Sequence, residues 1–363
     1  MKKTIAIAAL AAIFCGTAAA QTTQRLTANK ASEYGLVYNL PKTAIDITIE
    51  AELTERMPGE FYNYANNRLG ITDAIRRPSH TADIRSVTIG THGEPDRDSQ
   101  WLVQFKGGSS PFMILDETGV PVAVNTDDIP EIALPALPVA KDAEPTPLET
   151  EAARQAVTQD MTRSSSVSKR AELAAQRIFE LREMRSDLLG GQADNTPPDG
   201  RAMQLVLDNI AAQEAALTAM FAGTTKTRTV VRTITVVPDS TGSIDRMVIA
   251  RVSPVDGVVD ADNLGGAPVT LTITADSRAE LPLTDKGEPK RFPKGGFAYN
   301  IPGEATVQVS YDGRQVASQQ VSLAQLGCVF GIDPSVFTDK KSPSMLLLDP
   351  ATGAIRSLEP INR

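Results

Sequence analysis

Cysteine is almost absent from this chain of 363 residues, which has only Cys15 and Cys328. No network of internal disulfides can be built from two, so stability has to come from ordinary apolar cores. Histidine is equally scarce. His80 and His92 both lie in polar stretches, and neither has a second histidine at metal-ligand spacing. A Ser-His-Asp or Cys-His site would have to recruit one of them, and no Gly-x-Ser-x-Gly elbow is present. Aromatics make up 5% of the chain, with Trp101 the single tryptophan, which leaves little to stack on sugars or bases. The net charge of −8 argues against nucleic acid and anionic lipid as partners, because both need clustered Lys and Arg. Long apolar runs are missing too: beyond the N-terminus nothing approaches the ~20 residues of a transmembrane helix.

The N-terminus itself has the order of an export signal. Lys2 and Lys3 supply a positive start, Ile5 to Phe14 an apolar run of about ten residues, and Gly16 to Ala20 the small residues of a peptidase site. The sequence therefore predicts a cleavable signal peptide over residues 1–20, cut between Ala20 and Gln21, and an extracytoplasmic destination in the periplasm or cell envelope. Cys15 raises the alternative of an acylated lipoprotein cysteine, but bulky Phe14 precedes it where a very small residue is normal. The C-terminal Pro360-Ile361-Asn362-Arg363 lacks the terminal aromatic of an outer-membrane barrel. In the expected mature chain Cys328, within Leu-Gly-Cys-Val-Phe, reads as a small core residue.

Ile45, Ile47, Ile49, Ala51 and Leu53 alternate with Asp46, Thr48, Glu50 and Glu52, the period of two of a half-buried strand. A short helix is expected over Glu60–Leu69, ending at Gly70. Ile84–Gly90 and Trp101–Phe105 read as strands joined by a turn at 91–96, and Phe112–Leu115 with Val120–Val124 as a hairpin. Prolines and acids between 127 and 150 predict a linker. Ser164-Ser165-Ser166 offers N-cap residues to an amphipathic helix carrying Ala174, Ile178, Leu181, Met184 and Leu188, ended by Gly190-Gly191. A second helix carries Met203, Val206, Ile210, Leu217 and Phe221, with Asp199 as its cap and Gly223 as its stop. Strands return with a threonine-rich face from Thr225 to Thr235, then Met247–Val252, Val269–Ala275, Phe297–Ile301, Thr306–Tyr311, Gln315–Leu323, Met345–Leu348 and Ala354–Leu358. Asp312-Gly313 is a hairpin turn.

The expected fold is α+β but mostly β. It has two antiparallel, sandwich-like β-rich domains (21–126 and 224–363), a linker at 127–150 and an antiparallel helical hairpin at 151–223. No solenoid or propeller period is present.

Other residue groups with possible chemistry carry simpler readings. Glu33, Glu60 and Asp116 could form a carboxylate pair in a glycosidase cleft, but acids are abundant and solvated surface is the plainer account. Asp194, Asn195 and Asp199 could offer oxygen ligands to Ca²⁺, although EF-hand spacing is missing and capping explains Asn195 and Asp199. Gly107-Gly108-Ser109-Ser110 and Gly295-Gly296 lack the lysine of a phosphate cradle and read as turns. Lys226, Arg228 and Arg232 share a strand face without interleaved aromatics. Arg182 and Arg185 fit ion pairs with Glu183, Asp187 or a neighbouring domain. No catalytic residue, cofactor site or metal site is assigned.

Several segments together resemble secreted Bacteroidetes proteins carrying domain of unknown function 4831. They are Tyr38-Asn39-Leu40-Pro41-Lys42-Thr43, Pro58-Gly59-Glu60-Phe61-Tyr62, Gly93-Glu94-Pro95-Asp96, and Ile178-Phe179-Glu180-Leu181-Arg182-Glu183 with Arg185. Further along come Asp199-Gly200, Leu217 to Gly223, Tyr299-Asn300-Ile301-Pro302-Gly303, Ala324-Gln325-Leu326-Gly327 and Asp349 to Ile355. The resemblance implies a Gram-negative envelope location and carries over no catalytic residue. The expected function is a non-enzymatic structural or protein-binding envelope component, using sheet edges and the helical hairpin, with an unknown protein partner. The alternatives are a glycan-binding module centred on Trp101 and a carboxylate-dependent hydrolase.

Overall fold

A computed structural model describes residues 22–25, 36–104, 112–130, 136–193, 200–339 and 342–361. The expected signal segment, the Ala20–Gln21 bond, Cys15, Glu33, Gly107 to Ser110 and the Asp194–Asn195–Asp199 group lie outside these residues. Strands hold 46% of the residues and helices 24%, so the fold is mostly β, and the paired strands are antiparallel.

The first sheet has the order β1–β3–β2–β6, from Thr22–Arg25 (β1), Leu36–Met57 (β2), Ser79–Gln104 (β3) and Thr224–Val236 (β6). The second has the order β11–β10–β9–β7–β8. It uses Ile244–Ser253 (β7), Gly257–Val259 (β8), Ala267–Ser277 (β9), Phe297–Tyr311 (β10) and Arg314–Ile332 (β11). Both bury one face in a shared core. Ile45, Ile47, Ile49, Ala51 and Leu53 of β2 pack with Val269, Leu271 and Ile273 of β9 and Ala305, Val307 and Val309 of β10. The period of two seen in the sequence is that core face. Its polar counterpart forms cross-strand bonds, with the Thr48 and Thr233 hydroxyls 2.8 Å apart and Ser86 Oγ donating to Glu50 at 2.6 Å.

A third sheet, β13–β12–β5–β4, combines Met113–Leu115 (β4) and Pro121–Val124 (β5) with Ser344–Leu348 (β12) and Ile355–Pro360 (β13). Tyr38, Leu40, Phe297, Ala298, Leu346 and Leu348 form the core that joins it to the other two.

The division into separate β-rich units at 21–126 and 224–363 does not follow these sheets. β2 pairs with β6 along thirteen positions, and β5 pairs with β12, so strands from both stretches share sheets and cores. The segment expected as a linker is docked as well. Lys141 exchanges backbone hydrogen bonds with Thr229 at 3.0 and 2.9 Å. Thr146 and Glu149 form a capping box, and Lys226 Nζ lies 3.1 Å from Glu149.

The turn expected at 91–96 is also overturned. β3 runs straight through it because β2 continues alongside, pairing Pro41 with Pro95, Lys42 with Glu94 and Thr43 with Gly93. Turn-forming residues here mark a register shift between Asn39 and Pro41, a bulge in a long strand. Phe297–Ile301 and Thr306–Tyr311 merge in the same way into β10, with a shift between Ile301 and Gly303. Asp312 and Gly313 both take positive φ, as a type I′ hairpin requires.

The two long helices follow the sequence closely, the first is shorter than expected, and three short ones were not read from it. A short helix, Ala65–Leu69 (α1), ends at Gly70. Glu151–Ala156 (α2) and Gln159–Arg163 (α3) precede Val167–Gly190 (α4), which Ser166 caps and Gly191 ends at φ 68°. Gly200–Ala222 (α5) packs on α4 around Ile178, Leu181, Ile210, Leu217 and Phe221. Arg182 and Arg185 both bridge to Glu214 of α5, at 2.6 and 2.9 Å, in place of the expected Glu183 or Asp187. Ser335–Thr338 (α6) precedes β12.

Candidate binding site at an open sheet edge

Sheet edges present unpaired N–H and C=O groups, and folded proteins usually guard them with charge, proline, bulges or short length. Most edges here are guarded. β1, β4 and β8 are three or four residues long. β6 carries Lys226, Arg228 and Arg232 and is bridged by Lys141. β13 carries Arg356, Glu359 and Pro360. The stretch of β3 beyond β1 holds Asp83, Arg85, Glu94 and Pro95 and is bulged.

β11 differs. After Arg314 it contains no charged residue and no proline through Ile332, and it is the outermost strand of its sheet; its bulge at Val316 leaves Ala317 to Leu323 in regular register with β10. From Gln315 to Leu323 no described residue makes a backbone hydrogen bond on its outer side. Val321 and Leu323 point into the shared core, with Ala317 packed at its margin. By alternation along the regular stretch Gln319 lies on their side, and Ser318 and Gln320 on the other. Beside this edge runs a groove of about 390 Å³, lined by Gln319, Gln320 and Ser322 on one wall and Thr352, Ile355 and Arg356 on the other.

The edge closes abruptly at residue 324, where the three sheets meet. Ala324 N donates to Thr43 Oγ1 at 3.0 Å, and that hydroxyl donates to Ala351 O at 3.0 Å. The Gln325 amide clasps the backbone of Thr43, accepting from its N at 3.0 Å and donating to its O at 2.8 Å. Asn300 Nδ2 donates to Pro41 O and Thr352 O at 3.0 and 2.8 Å. Gly93 lies so close to the 349–353 turn that a Cβ on it would be 2.0 Å from Pro350 O. The tie points of this junction thus come from five stretches of sequence: 38–43, 93–96, 299–303, 324–327 and 349–353. A second meeting point lies at the helices, where Phe61 N donates to Met220 O at 2.7 Å and the Phe61 and Phe221 rings lie 5.3 Å apart.

Residues 34–356 match the family described as Domain of unknown function (DUF4831). The chain belongs to that family. Neither the search of curated proteins nor that of solved structures finds a match. The DUF4831 match takes in strands of all three sheets and both long helices, leaving out β1 and most of β13, so the junction and the open edge belong to one family unit.

The other candidate residues of this DUF4831 chain have local partners. His92 Nδ1 lies 2.5 Å from Asp46, whose other oxygen accepts from Thr235 Oγ1 at 2.6 Å, while His80 sits opposite Glu55 in register. No group of three or more His, Cys, Asp or Glu suited to a metal ion occurs among the described residues. Cys328 is half-buried and faces Ile301 across the β10–β11 ladder, and burial pushes its thiol pKa up. Glu60 pairs with Arg170 at 2.5 Å, and Asp116 accepts from Thr118 N and Val120 N to hold a turn. Arg228 and Arg232 donate to the carbonyls of Val255 and Val258, so the basic face of β6 staples β8 in place. Gly296 N donates to Pro293 O, closing the expected turn at Gly295-Gly296. Trp101 has one face stacked on Phe292, with centroids 5.5 Å apart and planes 11° off parallel.

A groove of about 690 Å³ between α4 and α5 is lined by Leu181, Met184, Leu188, Leu205, Val206 and Ile210. No helix among the described residues is long and apolar enough to cross a membrane. The open edge of β11 could be suspected from its uncharged composition, but its place at the end of a sheet was not legible from local pattern.

Proposed function

We propose that this DUF4831 chain is a non-enzymatic, protein-binding component of the cell envelope that takes up a strand of another polypeptide on the open edge of β11. The observation that carries the reading is the uncharged stretch from Gln315 to Leu323, regular beyond the bulge at Val316 and unpaired on its outer side, while the longer edges elsewhere carry charge or proline. Main-chain hydrogen bonds give such strand addition its affinity, and flanking pockets give it selectivity. The groove beside the edge supplies that second element, and exposed Arg356, which has no ion pair among the described residues, offers it a cation.

An inward-pointing charge is one way natural edges are closed. Gln319→Lys, on the core-facing side of the strand but exposed, should fold normally and abolish partner capture from detergent-solubilised envelope. A photo-crosslinker at Ser318 should label the same partner. Undiminished capture by Gln319→Lys would count decisively against the reading.

The envelope location rests on the N-terminal pattern of Lys2 and Lys3, the apolar run and Ala18-Ala19-Ala20. Mass spectrometry of the protein from its native host should find Gln21 as the first residue. A diacylated Cys15 would instead mean lipid anchoring.

A further inference from the structure

The open edge is complementary to itself, and we infer that the strand it accepts is β11 of a second copy, laid antiparallel about a two-fold axis at Gln319. The inference rests on the strand-addition reading and adds the identity of the occupant. A two-fold contact requires one patch to match itself, with residue i facing j and j facing i. In this register Ala317 faces Val321 and Ser318 faces Gln320, all within the regular stretch that follows the bulge at Val316. No like charges meet. Gln319 faces its own copy, and an amide both donates and accepts.

The ends of the edge select this register. One end is blocked at Ala324, whose N–H is held by Thr43. At the other end stands Arg314, the single charged residue of β11, exposed and without an ion pair among the described residues. Pairing centred on Gln319 carries Arg314 of the second copy, beyond the bulge at Val316, toward Ala324. Ala324 lines a cleft of about 450 Å³ whose walls also carry Asp239 and the Lys42–Asp96 ion pair, closed at 2.9 Å. The Thr241 hydroxyl and backbone N–H hold the Asp239 carboxyl below its usual range, so it is anionic at neutral pH. The lone cation of each strand therefore meets Asp239, the acid of that cleft not paired with Lys42, on the other copy, and symmetry repeats the contact at both ends. Moving the axis toward the blocked end runs the incoming strand into the Thr43 tie, and moving it the other way draws Arg314 back from Asp239. Two five-stranded sheets become one of ten.

A nine-residue strand is a small interface, so the dimer should depend on concentration. Sedimentation equilibrium over a concentration series should show a mass rising toward twice that of the monomer. Gln319→Lys, which puts two ammonium groups on the axis, should stay monomeric, and Arg314→Glu should weaken association about ten-fold or more. Opposed Cβ atoms of an antiparallel pair lie about 4.5–5.5 Å apart, within small adjustment of disulfide geometry. Gln319→Cys in a Cys328→Ser background should therefore form a reducible covalent dimer on oxidation. A wild-type chain that stays monomeric throughout, or Gln319→Cys that never cross-links, overturns the inference. If Gln319→Lys still abolishes capture of an envelope protein in that case, the strand-addition reading stands and only its occupant changes. If Gln319→Lys alters neither association nor capture, both fail.

Discussion

Replacing Gly93 by alanine should destabilise the protein by about 3 kcal/mol, the upper end of the usual cost of overpacking. The new methyl would lie 2.0 Å from Pro350 O and 3.1 Å from Pro41 Cβ. Neither neighbour is the free end of a flexible side chain. The Pro350 carbonyl belongs to a turn pinned by Asp349, which accepts from Ala351 N and Thr352 N at 2.8 and 2.9 Å. The same turn is held from outside by Thr43 Oγ1 on Ala351 O and Asn300 Nδ2 on Thr352 O. Making room for one methyl therefore stretches hydrogen bonds that join all three sheets. Gly90, three residues earlier on β3, has nothing within 4 Å of its would-be Cβ. Gly90→Ala should change stability by no more than about 0.5 kcal/mol, as ordinary surface changes do. Urea unfolding of the two variants side by side is the check, and equal midpoints would mean that the junction yields more easily than its geometry implies.

Patterns a few residues long were readable in the sequence, and pairings across the chain were not. The alternation from Ile45 to Leu53 marked a core face, and Ser164-Ser165-Ser166 and Gly190-Gly191 bracketed the ends of α4, because each signal depends on neighbours within one or two turns. Nothing local says that β2 pairs with β6, whose residues lie some way past two long helices. The proline-rich stretch after residue 127 suggested a boundary, yet a strand partner for Thr229 comes from it. Turn-type residues at 91–96 misled for a related reason. Gly93 and Pro95 are there to let the strand approach the 349–353 turn and bulge, a requirement set by a segment some 250 residues away. For the candidate site, the uncharged run of β11 was visible, but its meaning depends on being an edge, and edge position is a property of the assembled sheet.

Phe221→Ala should cost more than any other single side-chain truncation in the helical core, about 3–5 kcal/mol for a buried aromatic. Phe221 is fully buried, tilted at 54° against the Phe61 ring, and shares a cluster with Ile178, Leu181 and Leu217. Its position matters as much as its size. α5 ends one residue later, and Gly223, at φ 89°, turns the chain directly into β6. The carbonyls on either side of Phe221 are both in use: Met220 O accepts from Phe61 N at 2.7 Å and Ala222 O from Ile75 N at 2.8 Å. Gly59 lies beneath Met220 O, where a Cβ would be only 2.3 Å away. A cavity at Phe221 therefore loosens the seam between the helices and the end of the β2–β6 pair. Phe179, on the exposed side of α4 over Arg182, is the control, and Phe179→Ala should cost less than about 1 kcal/mol. Urea titrations followed by far-UV circular dichroism should separate the two variants clearly. Methyl NMR of Ile47, in the sandwich core, should report whether that core holds while the helices melt. If Phe221→Ala matched Phe179→Ala in stability, the aromatic pair would not be what fastens the helices to the sheets.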